Sequence, residues 1–402
     1  MSIDMRTRNE YDIRPVSPVA FFSDQLPSYA IDGQAYIQAW IALNKPDDFT
    51  IECEGNCWQL SADEGGLSVA PGIAPAGLHV RMNEEEFSGL INDEYTPITF
   101  FTTGDLDIPR GNLEDYLDWW LILRALIDKR PMHTPGAIKL LALDGSKLDL
   151  ARKFTLEDPI EEMRYFLETA GFLHIRGVFS AEKMDEISRD MDTFQSRYVE
   201  GDGKSWWATT REGERRVVRM QAFDQFSAAT AELLEDPSFQ LIGEIPGLGH
   251  VHSSLENNRI EGLIKPLNVV QGISDLPWHK DCAQGRHSLE CCSLTVGISI
   301  TGADQNSGQI RVIAGSHRAL IRPSFVRDAE AFGLPVVDLP TQTGDITIHL
   351  SCTHHMAQAP TSRERRVMYT GFRFPTVDVS LSSVARARLY NAREAAQHMS
   401  DK

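Results

Sequence analysis

The segment "PWHKD" at residues 277–281 says most about the fold and the chemistry of this chain. It places His279 and Asp281 two residues apart, and on a β-strand the side chains at positions i and i+2 point to the same side. An imidazole and a carboxylate aimed at one point suit a metal ion. A strand with one face in solvent produces the same alternation without any site, so the rest of the sequence has to distinguish the two interpretations.

Short strands surround this segment. From about residue 260 onwards, apolar runs of strand length alternate with glycine-containing and polar turns. This pattern predicts a β-barrel or a sandwich with helices packed on it. The predicted strands are 261–265, 277–281, 293–300, 309–313, 345–350 and 366–374.

A second stretch, "GDITIHLSCTHHMAQAPTSRERRVMYTGFRF" at residues 344–374, supplies histidines and arginines. Two histidines and one carboxylate form the facial ligand set of non-haem Fe(II) oxygenases, which leaves open positions on the iron for a keto acid and O2. The far carboxylate of the keto acid then requires a planar cation with two parallel donors, and arginine is suited to that role. The candidates in this stretch are His349, His354, His355, Arg363, Arg365 and Arg366.

The order of these motifs resembles the phytanoyl-CoA dioxygenase family, whose members are Fe(II)- and 2-oxoglutarate-dependent oxygenases with a double-stranded β-helix (jelly-roll) fold. The chain has HxD at His279 and Asp281, then a GSH turn, then a GD pair followed ten residues later by His355 and eleven further by Arg366. The resemblance covers about residues 155–375. It implies His279, Asp281 and His355 as iron ligands, Arg366 as the partner of 2-oxoglutarate, and Fe(II), 2-oxoglutarate and O2 as cofactor and cosubstrates.

Neighbouring histidines and arginines are the main alternatives to these assignments. Strand alternation puts His354 and His355 on opposite faces, so only one of them can be a ligand, and the spacing favours His355. His349 either lines the pocket or fills the barrel. The same count favours Arg366 over Arg365, which we expect to be a surface charge.

Other polar residues of the predicted barrel have two interpretations each. Lys265, in "GLIKP", is either a second contact to the keto acid or a solvated strand end. Ser299 and Thr295 share the parity of Gly297 and so face the cavity. Ser299 is therefore a candidate contact to 2-oxoglutarate, although hydrogen-bonded hydroxyls of the barrel interior are the simpler interpretation. His317 of the GSH turn is expected to be structural.

Asp281 also indicates the type of reaction. Iron halogenases of this general fold carry a small residue in place of the acid, which leaves room for chloride. The resemblance therefore implies hydroxylation, or a related oxidation, of a C–H bond with decarboxylation of 2-oxoglutarate to succinate. In such an enzyme the iron and the keto acid supply the difficult chemistry, and the protein positions the substrate and excludes water.

The substrate is predicted from the segment "KSWWATTREGERRVVRMQAF" at residues 204–223, which we expect to cover the site as the corresponding region does in the family. The two tryptophans either suit an apolar or ring-bearing substrate or pack on the barrel. The arginines either meet an anionic group or balance nearby acids. We expect a hydrophobic small molecule, and the substrate-lining candidates are Trp206, Trp207, Arg219 and Trp278, with Arg215 and Arg216 beside them.

Residues 67–128 resemble a sterol-carrier-protein-type lipid-binding domain. The run comprises a strand, a helix, an aromatic stretch, the turn "TGDLDIPRGN" and an amphipathic helix. In that family the sheet and helices enclose an apolar tunnel. The resemblance implies either a module that holds a hydrophobic substrate for the oxygenase, or a dimerisation or scaffolding module whose tunnel has closed. Phe100, Phe101, Trp119 and Trp120 are expected to be ordinary core.

Composition restricts the class of protein. The net charge of −18 disfavours nucleic acid and anionic membranes as partners. No stretch approaches the roughly 18 apolar residues of a membrane span, and the first residues contain no apolar run of signal-peptide length. The six cysteines form no CxxC pair, so we expect reduced thiols in a cytoplasmic protein, with Cys53 and Cys57 structural.

Together these features predict an α+β protein of two domains. We expect a sterol-carrier-like α/β domain at 25–135, a linker at 136–154, a jelly-roll oxygenase domain with packed helices at 155–380 and a tail at 381–402. One alternative function is a non-catalytic lipid-binding or sensor protein with a vestigial barrel, which requires damaged metal ligands. Another is a zinc hydrolase, which lacks a general-base motif such as HExxH. The sequence is compatible with an oligomer.

Overall fold

The computed structural model describes residues 13–252, 258–272, 275–284 and 287–373. The predicted tail at 381–402 lies outside the described residues. Within the described ranges, none of the helices combines the length and the apolar composition that crossing a membrane requires.

The first part of the chain is built on a five-stranded sheet with the strand order β3-β2-β1-β4-β5, in which β1 and β4 are parallel and the other neighbours antiparallel. The helices cover one face of this sheet, and α2 packs against α5. A π-helical turn joins α1 to α2. The elements are α1 (Pro18–Ala20), α2 (Leu26–Asn44), β1 (Phe49–Cys53), β2 (Asn56–Asp63), β3 (Gly66–Pro71), β4 (Leu78–Met82), α3 (Glu84–Ile91), α4 (Pro97–Thr103), β5 (Asp107–Arg110) and α5 (Leu113–Ile127).

Side-chain caps begin three of these helices. Asn83 caps α3, since it accepts a hydrogen bond from the backbone of Glu86, whose carboxylate accepts one from the backbone of Asn83 in return. Thr96 caps α4, and Asn112 caps α5. Each cap satisfies backbone N–H groups that the helix leaves unpaired, which stabilises a helix by about 1 kcal/mol.

The aromatic residues of this part fill its core. Trp119, Trp120 and Phe100 are almost wholly buried, as predicted for core residues, and the indole N–H of Trp119 donates to the Asp47 carbonyl at 2.9 Å. Phe101 is the exception. It is 40% exposed and meets the ring of Phe325, from the second part of the chain, edge-on.

The second part is a two-sheet barrel with helices on one side. Its strands pair antiparallel throughout the described residues. The helices are α6 (Ile160–Ala170), α7 (Ala181–Phe194), α8 (Ala228–Leu234), α9 (Pro237–Glu244) and α10 (His287–Glu290). The strands are β6 (Phe172–Ile175), β7 (Ser205–Thr210), β8 (Arg215–Met220), β9 (Val251–His252), β10 (Glu261–Lys265), β11 (Val269–Gln271), β12 (Leu276–His279), β13 (Leu294–Ser299), β14 (Ile310–Ile313), β15 (Val336–Leu339), β16 (Ile346–Leu350), β17 (His355–Ala357) and β18 (Arg365–Arg373).

The larger sheet has the order β11-β7-β8-β10-β18-β13-β16-β6, with β9 also on β18, and the smaller sheet has the order β12-β17-β14-β15. Their inner faces line one pocket, to which Ser299 of β13 and Ile310 of β14 both contribute. The outer face of the larger sheet is buried under helices, where Phe372 packs against Phe239 of α9. This is a jelly-roll arrangement, as predicted. One element differs, because Asp281 lies beyond the end of β12 on a 3-10 turn.

Contacts between the two parts include half-buried ion pairs besides the ring contact of Phe101 with Phe325. Arg322, in the loop after β14, donates to Asp118 of α5 at 2.6 Å and 2.5 Å and to Glu114 at 2.9 Å. The predicted linker at 136–154 lies along the barrel, where Leu148 joins the main core. The domain boundaries drawn from the sequence stay a prediction.

Candidate metal centre and cosubstrate pocket

Two histidines face each other across neighbouring strands of the smaller sheet. His279 ends β12 and His355 begins β17, and the antiparallel register pairs them directly. Their ring centroids lie 4.2 Å apart. Directly opposed residues in an antiparallel pair point to the same side of a sheet, so both imidazoles face the barrel interior.

Backbone carbonyls fix the orientation of both rings. Nδ1 of His279 lies 2.8 Å from the Pro277 carbonyl oxygen, and Nδ1 of His355 lies 3.1 Å from the Thr353 carbonyl oxygen. A carbonyl oxygen only accepts, so Nδ1 carries the proton in each ring. In the neutral rings Nε2 is therefore left with a lone pair directed into the barrel, which is the arrangement of metal-binding histidines.

Asp281 completes this group. Its Oδ1 lies 3.3 Å from Nε2 of His279 and 3.4 Å from Nε2 of His355. Its Oδ2 accepts a hydrogen bond from the Thr295 hydroxyl at 2.8 Å and lies 3.5 Å from Nε2 of His349. The Thr295 hydroxyl thus orients the carboxylate from the side opposite the two facing histidines.

The electrostatics of the group favour a charged carboxylate. Burial by itself raises the pKa of Asp281, but the imidazoles of His355, His279 and His349 outweigh it, and the pKa falls well below its ordinary value. Burial, followed by the neighbouring His349, lowers the pKa of His355 well below its ordinary value. Burial also acts to lower the pKa of His279, but the Asp281 carboxylate outweighs it and raises that pKa. Asp281 is therefore anionic and His355 neutral, the forms in which both bind a cation.

The donor set fits a divalent cation. One ligand atom from each of His279, Asp281 and His355 lies within 4.8 Å of the other two. Ligand atoms about 2.1 Å from an ion and at right angles to each other lie about 3.0 Å apart, close to the two nitrogen–oxygen distances above. Two imidazoles and one carboxylate on one side of the ion suit non-haem Fe(II) and leave its other side to the barrel interior.

A pocket lies further along the inner face of β13. Thr295 and Ser299 are four residues apart on this face, about 13 Å along the strand. Gly297 lies between them, and a Cβ there would come within 2.9 Å of the Tyr369 ring and 3.0 Å of the Thr347 hydroxyl. The glycine therefore lets the Tyr369 ring and the Thr347 hydroxyl lie close against β13 at this point. The pocket is lined by Gly297, Ser299, Ala303, Ile310, Leu339, Thr341, Thr347, Arg365 and Val367.

The structure reverses the prediction for the two adjacent arginines of β18. Arg366 points out of the barrel, where its guanidinium donates to Asp192 at 2.8 Å and to Glu364 at 3.1 Å. Arg365 points in and is 4% exposed, and it donates to the Gly308 carbonyl and to the Tyr369 hydroxyl. The expectation that Arg366 faces the keto acid and Arg365 the solvent is wrong, because the inner face of β18 begins one residue earlier than the count placed it.

The two weaker cosubstrate candidates both lie near Arg365. Lys265 is buried and pairs with Arg365 across β10 and β18, and its ammonium group donates to the Gln358 carbonyl at 2.7 Å. Ser299 lines the pocket, and its hydroxyl lies 2.8 Å from that of Thr341. Lys265 is thus not a solvated strand end.

The predicted substrate-lining residues divide between the two faces of the sheets. Trp206 and Arg219 pair across β7 and β8 on the inner side, where the guanidinium stacks over the indole at 4.1 Å. Trp207 packs against the main core instead, and Trp278 packs against the separate apolar cluster around Ile313. For Trp207 the structure supports packing on the barrel, since successive strand residues point to opposite faces and a bulge separates Trp206 from Trp207. The placement of Trp278 is a correction.

The three candidate arginines of this segment, Arg215, Arg216 and Arg219, have carboxylate partners. Arg219 donates to Glu261 at 2.6 Å. The other two pairs are Arg215 with Glu200 and Arg216 with Glu364. Of the two interpretations offered by the sequence, the structure supports arginines that balance nearby acids.

The remaining histidines have distinct positions. His354 is fully buried on the opposite face from His355, as alternation predicts, with Phe332 beside it. His317 bonds through Nε2 to the Glu168 carbonyl at 2.9 Å, in keeping with a structural role. His349 lines the interior, because its ring centroid lies 4.0 Å from that of His355.

Sequence reasoning missed two features of the site. Thr295 was identified only as a cavity-facing hydroxyl, whereas it holds the Asp281 carboxylate. Arg365 was assigned to the surface. The alternation along β18 places Arg365 and Val367 on one face of the strand. The sequence alone does not say which face is inside, because both faces are buried.

Comparison with known families gives one match. The family model described as "Phytanoyl-CoA dioxygenase (PhyH)" matches residues 167–368, about half of the chain, and spans all three residues of the metal group. A search of curated proteins finds no match.

Several solved structures are similar to part of the chain. The α-ketoglutarate-dependent epimerase SnoN from nogalamycin biosynthesis is 17% identical, with a TM-score of 0.43, over 53% of this chain and 82% of that one. AviO1 from Streptomyces viridochromogenes Tue57 is 18% identical, with a TM-score of 0.43, over 54% of this chain and 95% of that one. EctD from S. alaskensis, solved with 2-oxoglutarate and 5-hydroxyectoine, is 14% identical, with a TM-score of 0.43, over 60% and 86%.

Proposed function

The chain belongs to the phytanoyl-CoA dioxygenase family and is a 2-oxoglutarate-dependent non-haem iron enzyme that uses Fe(II), 2-oxoglutarate and O2, and from this premise we propose that it hydroxylates a C–H bond of a hydrophobic small molecule. The observation that carries the proposal is the convergence of two oriented imidazoles and one carboxylate at the inner face of the barrel.

The metal in this proposal is held by His279, Asp281 and His355. The iron, once bound with 2-oxoglutarate and O2, supplies the oxidising chemistry. The protein contributes two imidazoles, whose rings the Pro277 and Thr353 carbonyls orient, and a carboxylate held by Thr295. An acid at position 281 fills the place that a halide needs, which favours hydroxylation over halogenation.

The partner of 2-oxoglutarate in this proposal is Arg365 rather than Arg366. Its guanidinium is buried at the pocket, beside the hydroxyls of Ser299 and Thr341, and Lys265 adds a second positive charge one strand away. A buried, planar guanidinium can pair with the far carboxylate through two parallel hydrogen bonds. The inward face of β13 runs from this pocket, at Ser299, to Thr295, which holds the metal-binding carboxylate.

We expect the part of the substrate that lies next to Trp206 to be apolar. Trp206 contributes an aromatic face on the inner side of β7, and Arg219, which would otherwise attract an anion, is already neutralised by Glu261. A half-buried ion pair does not readily exchange its partner, because each charge would lose its compensation. These contacts support an uncharged ring or chain, rather than a carboxylate, next to Trp206.

For the first part of the chain we propose a sterol-carrier-like module that acts as a scaffold. Two observations support this role: Trp119 and Trp120 occupy its core, and Thr96 donates to the Ala283 carbonyl at 2.7 Å, two residues after Asp281. Titration of the full-length protein with a fluorescent fatty acid tests the proposal. No saturable binding is expected, and stoichiometric binding in the Asp281→Ala variant would favour a carrier instead.

Anaerobic titration tests the main proposal. Adding Fe(II) and then 2-oxoglutarate to the protein should produce the weak visible charge-transfer band of a chelated keto acid, and admitting O2 should yield succinate. The Asp281→Ala variant should lose both signals while retaining its fold. A well-folded wild-type protein without the band, or one indistinguishable from Asp281→Ala, would contradict the proposal and favour the non-catalytic alternative.

A further inference from the structure

A second group of metal-ligating side chains lies on the loop that follows Asp281. One ligand atom from each of Cys282, His287 and Cys291 lies within 4.8 Å of the other two. Sγ of Cys291 is 3.8 Å from Nε2 of His287. All three residues are almost wholly buried. This cluster shares no residue with the iron-site candidate.

A third thiol borders the group. Cys352 is buried, and its side chain is in hydrogen-bonding range of the thiols of both Cys282 and Cys291. Its segment is tied to the same loop, since the backbone N–H of Cys282 donates to the Ser351 carbonyl. Two sulfurs and the imidazole nitrogen thus lie within 4.8 Å of one another, and the Cys352 thiol, which also donates to the Cys291 carbonyl at 2.9 Å, borders them.

The imidazole is oriented as a ligand. Nδ1 of His287 lies 2.9 Å from the carboxylate of Asp93, which in turn lies 3.6 Å from the guanidinium of Arg124. The Asp93 carboxylate accepts the Nδ1 proton, so Nε2 of the neutral ring presents a lone pair to the thiols. A carboxylate that holds the far nitrogen of a metal-binding histidine is a recurrent feature of zinc sites.

Backbone hydrogen bonds also hold the segment that carries this ring. The N–H groups of His287 and Ser288 donate to the carbonyls of Glu94 and Asp93, and Asp93 has a positive φ of 60°. A non-glycine residue in this left-handed conformation is uncommon, and such strain persists where the surrounding structure enforces it. The first part of the chain thus contributes the residue that orients the histidine.

The donor chemistry selects the ion. We propose that Cys282, His287, Cys291 and Cys352 form a structural Zn²⁺ site, separate from the catalytic iron. Thiolate and imidazole are the ligands of closed, four-coordinate zinc sites. Ligands of a tetrahedral zinc ion lie roughly 3.5–3.8 Å apart, close to the Cys291–His287 distance of 3.8 Å.

The position of the site gives it a function. Cys282 is the residue after Asp281, and Cys352 lies three residues before His355. A zinc ion on these cysteines would fix the backbone that carries two of the three iron-site residues. It would also join that backbone to the first part of the chain through the contact between His287 and Asp93.

Cobalt substitution of the full-length protein tests the proposal. The protein is stripped with a chelator under reducing, anaerobic conditions, and Co²⁺ is then added. One equivalent should produce thiolate-to-cobalt charge-transfer absorption in the near ultraviolet and intense tetrahedral bands in the visible, and Zn²⁺ should abolish both. The Asp281→Ala variant should keep these bands, because Co²⁺ at the iron site has no thiolate ligand.

Cysteine variants provide the matched comparison. Cys291→Ser should lose the charge-transfer absorption, whereas Cys57→Ser, which removes a half-buried thiol of the first sheet, should retain it. If Cys291→Ser does not fold, the wild-type spectrum and its reversal by Zn²⁺ still decide the question. Absence of thiolate bands in folded wild-type protein would overturn the proposal and leave buried apolar thiols. A disulfide among the three cysteines in the native protein would overturn it as well.

Discussion

Replacing Arg365 and Arg366 one at a time tests which of them binds 2-oxoglutarate. The structure favours Arg365, whereas the spacing in the sequence favours Arg366. Arg365 is 4% exposed at the pocket, and the bond from its charged side chain to the far carboxylate of 2-oxoglutarate is worth about 1.5–3 kcal/mol. Since about 1.4 kcal/mol corresponds to a factor of ten, Arg365→Gln should weaken 2-oxoglutarate binding about 10- to 150-fold. Arg365→Lys should fall in between, because it retains the charge but not the planar fork.

Arg366→Gln is the matched control. It removes an outward ion pair with Asp192, whose side chain is 56% exposed, so it should cost at most about 1 kcal/mol of stability and leave cosubstrate binding unchanged. The assay is anaerobic titration of the Fe(II)-loaded protein with 2-oxoglutarate, together with the KM for 2-oxoglutarate from succinate formation. Thermal unfolding of each variant verifies that it folds. A larger loss of affinity in Arg366→Gln than in Arg365→Gln would refute the reasoning.

Three further variants test other contacts. Thr295→Val removes the donor to Asp281 without changing the side-chain volume much, so Fe(II) affinity should fall about 10- to 100-fold in a metal titration, and unchanged affinity would remove Thr295 from the site. Burial raises the pKa of Asp345, but hydrogen bonds from His174 and from two backbone N–H groups outweigh it and hold that pKa below its ordinary value. The stabilisation is therefore present above about pH 4 and is lost as the pH falls through the folded-state pKa. Asp345→Asn should lower the free energy of unfolding by about 2 kcal/mol at neutral pH, and this free energy, measured by urea unfolding, should depend less on pH in the acid range than in the wild type. Curves of equal slope for variant and wild type would contradict this. Arg322→Ala should lower the free energy of unfolding by about 1 kcal/mol, because it breaks half-buried ion pairs with α5, and an unchanged value would show that these pairs do not stabilise the junction.

Local sequence patterns determined the elements and the candidate ligands. The strands at 261–265 and 346–350 follow directly from short apolar runs between turns, and Asn83 begins a helix because its side chain caps it. The pairing of His279 with Asp281, and the choice of His355 over His354, follow from spacing and strand parity. These features depend on interactions a few residues apart along the chain, which the sequence displays.

Only the tertiary structure decided which faces are inside. Both faces of β18 are buried, one in the barrel and one under helices, so hydrophobicity does not identify the inner arginine, and the turn before the strand sets the parity. The same holds for Trp206 and Trp207, which a bulge separates. The approach of Asp93 to His287 likewise joins residues 194 positions apart, and no periodicity in the sequence encodes a contact of that range. The sequence identified the candidate ligands because their spacing is local. It did not identify the residues that contact them, because the inward face of a strand and the contacts between distant residues depend on how the sheets and the two parts of the chain pack.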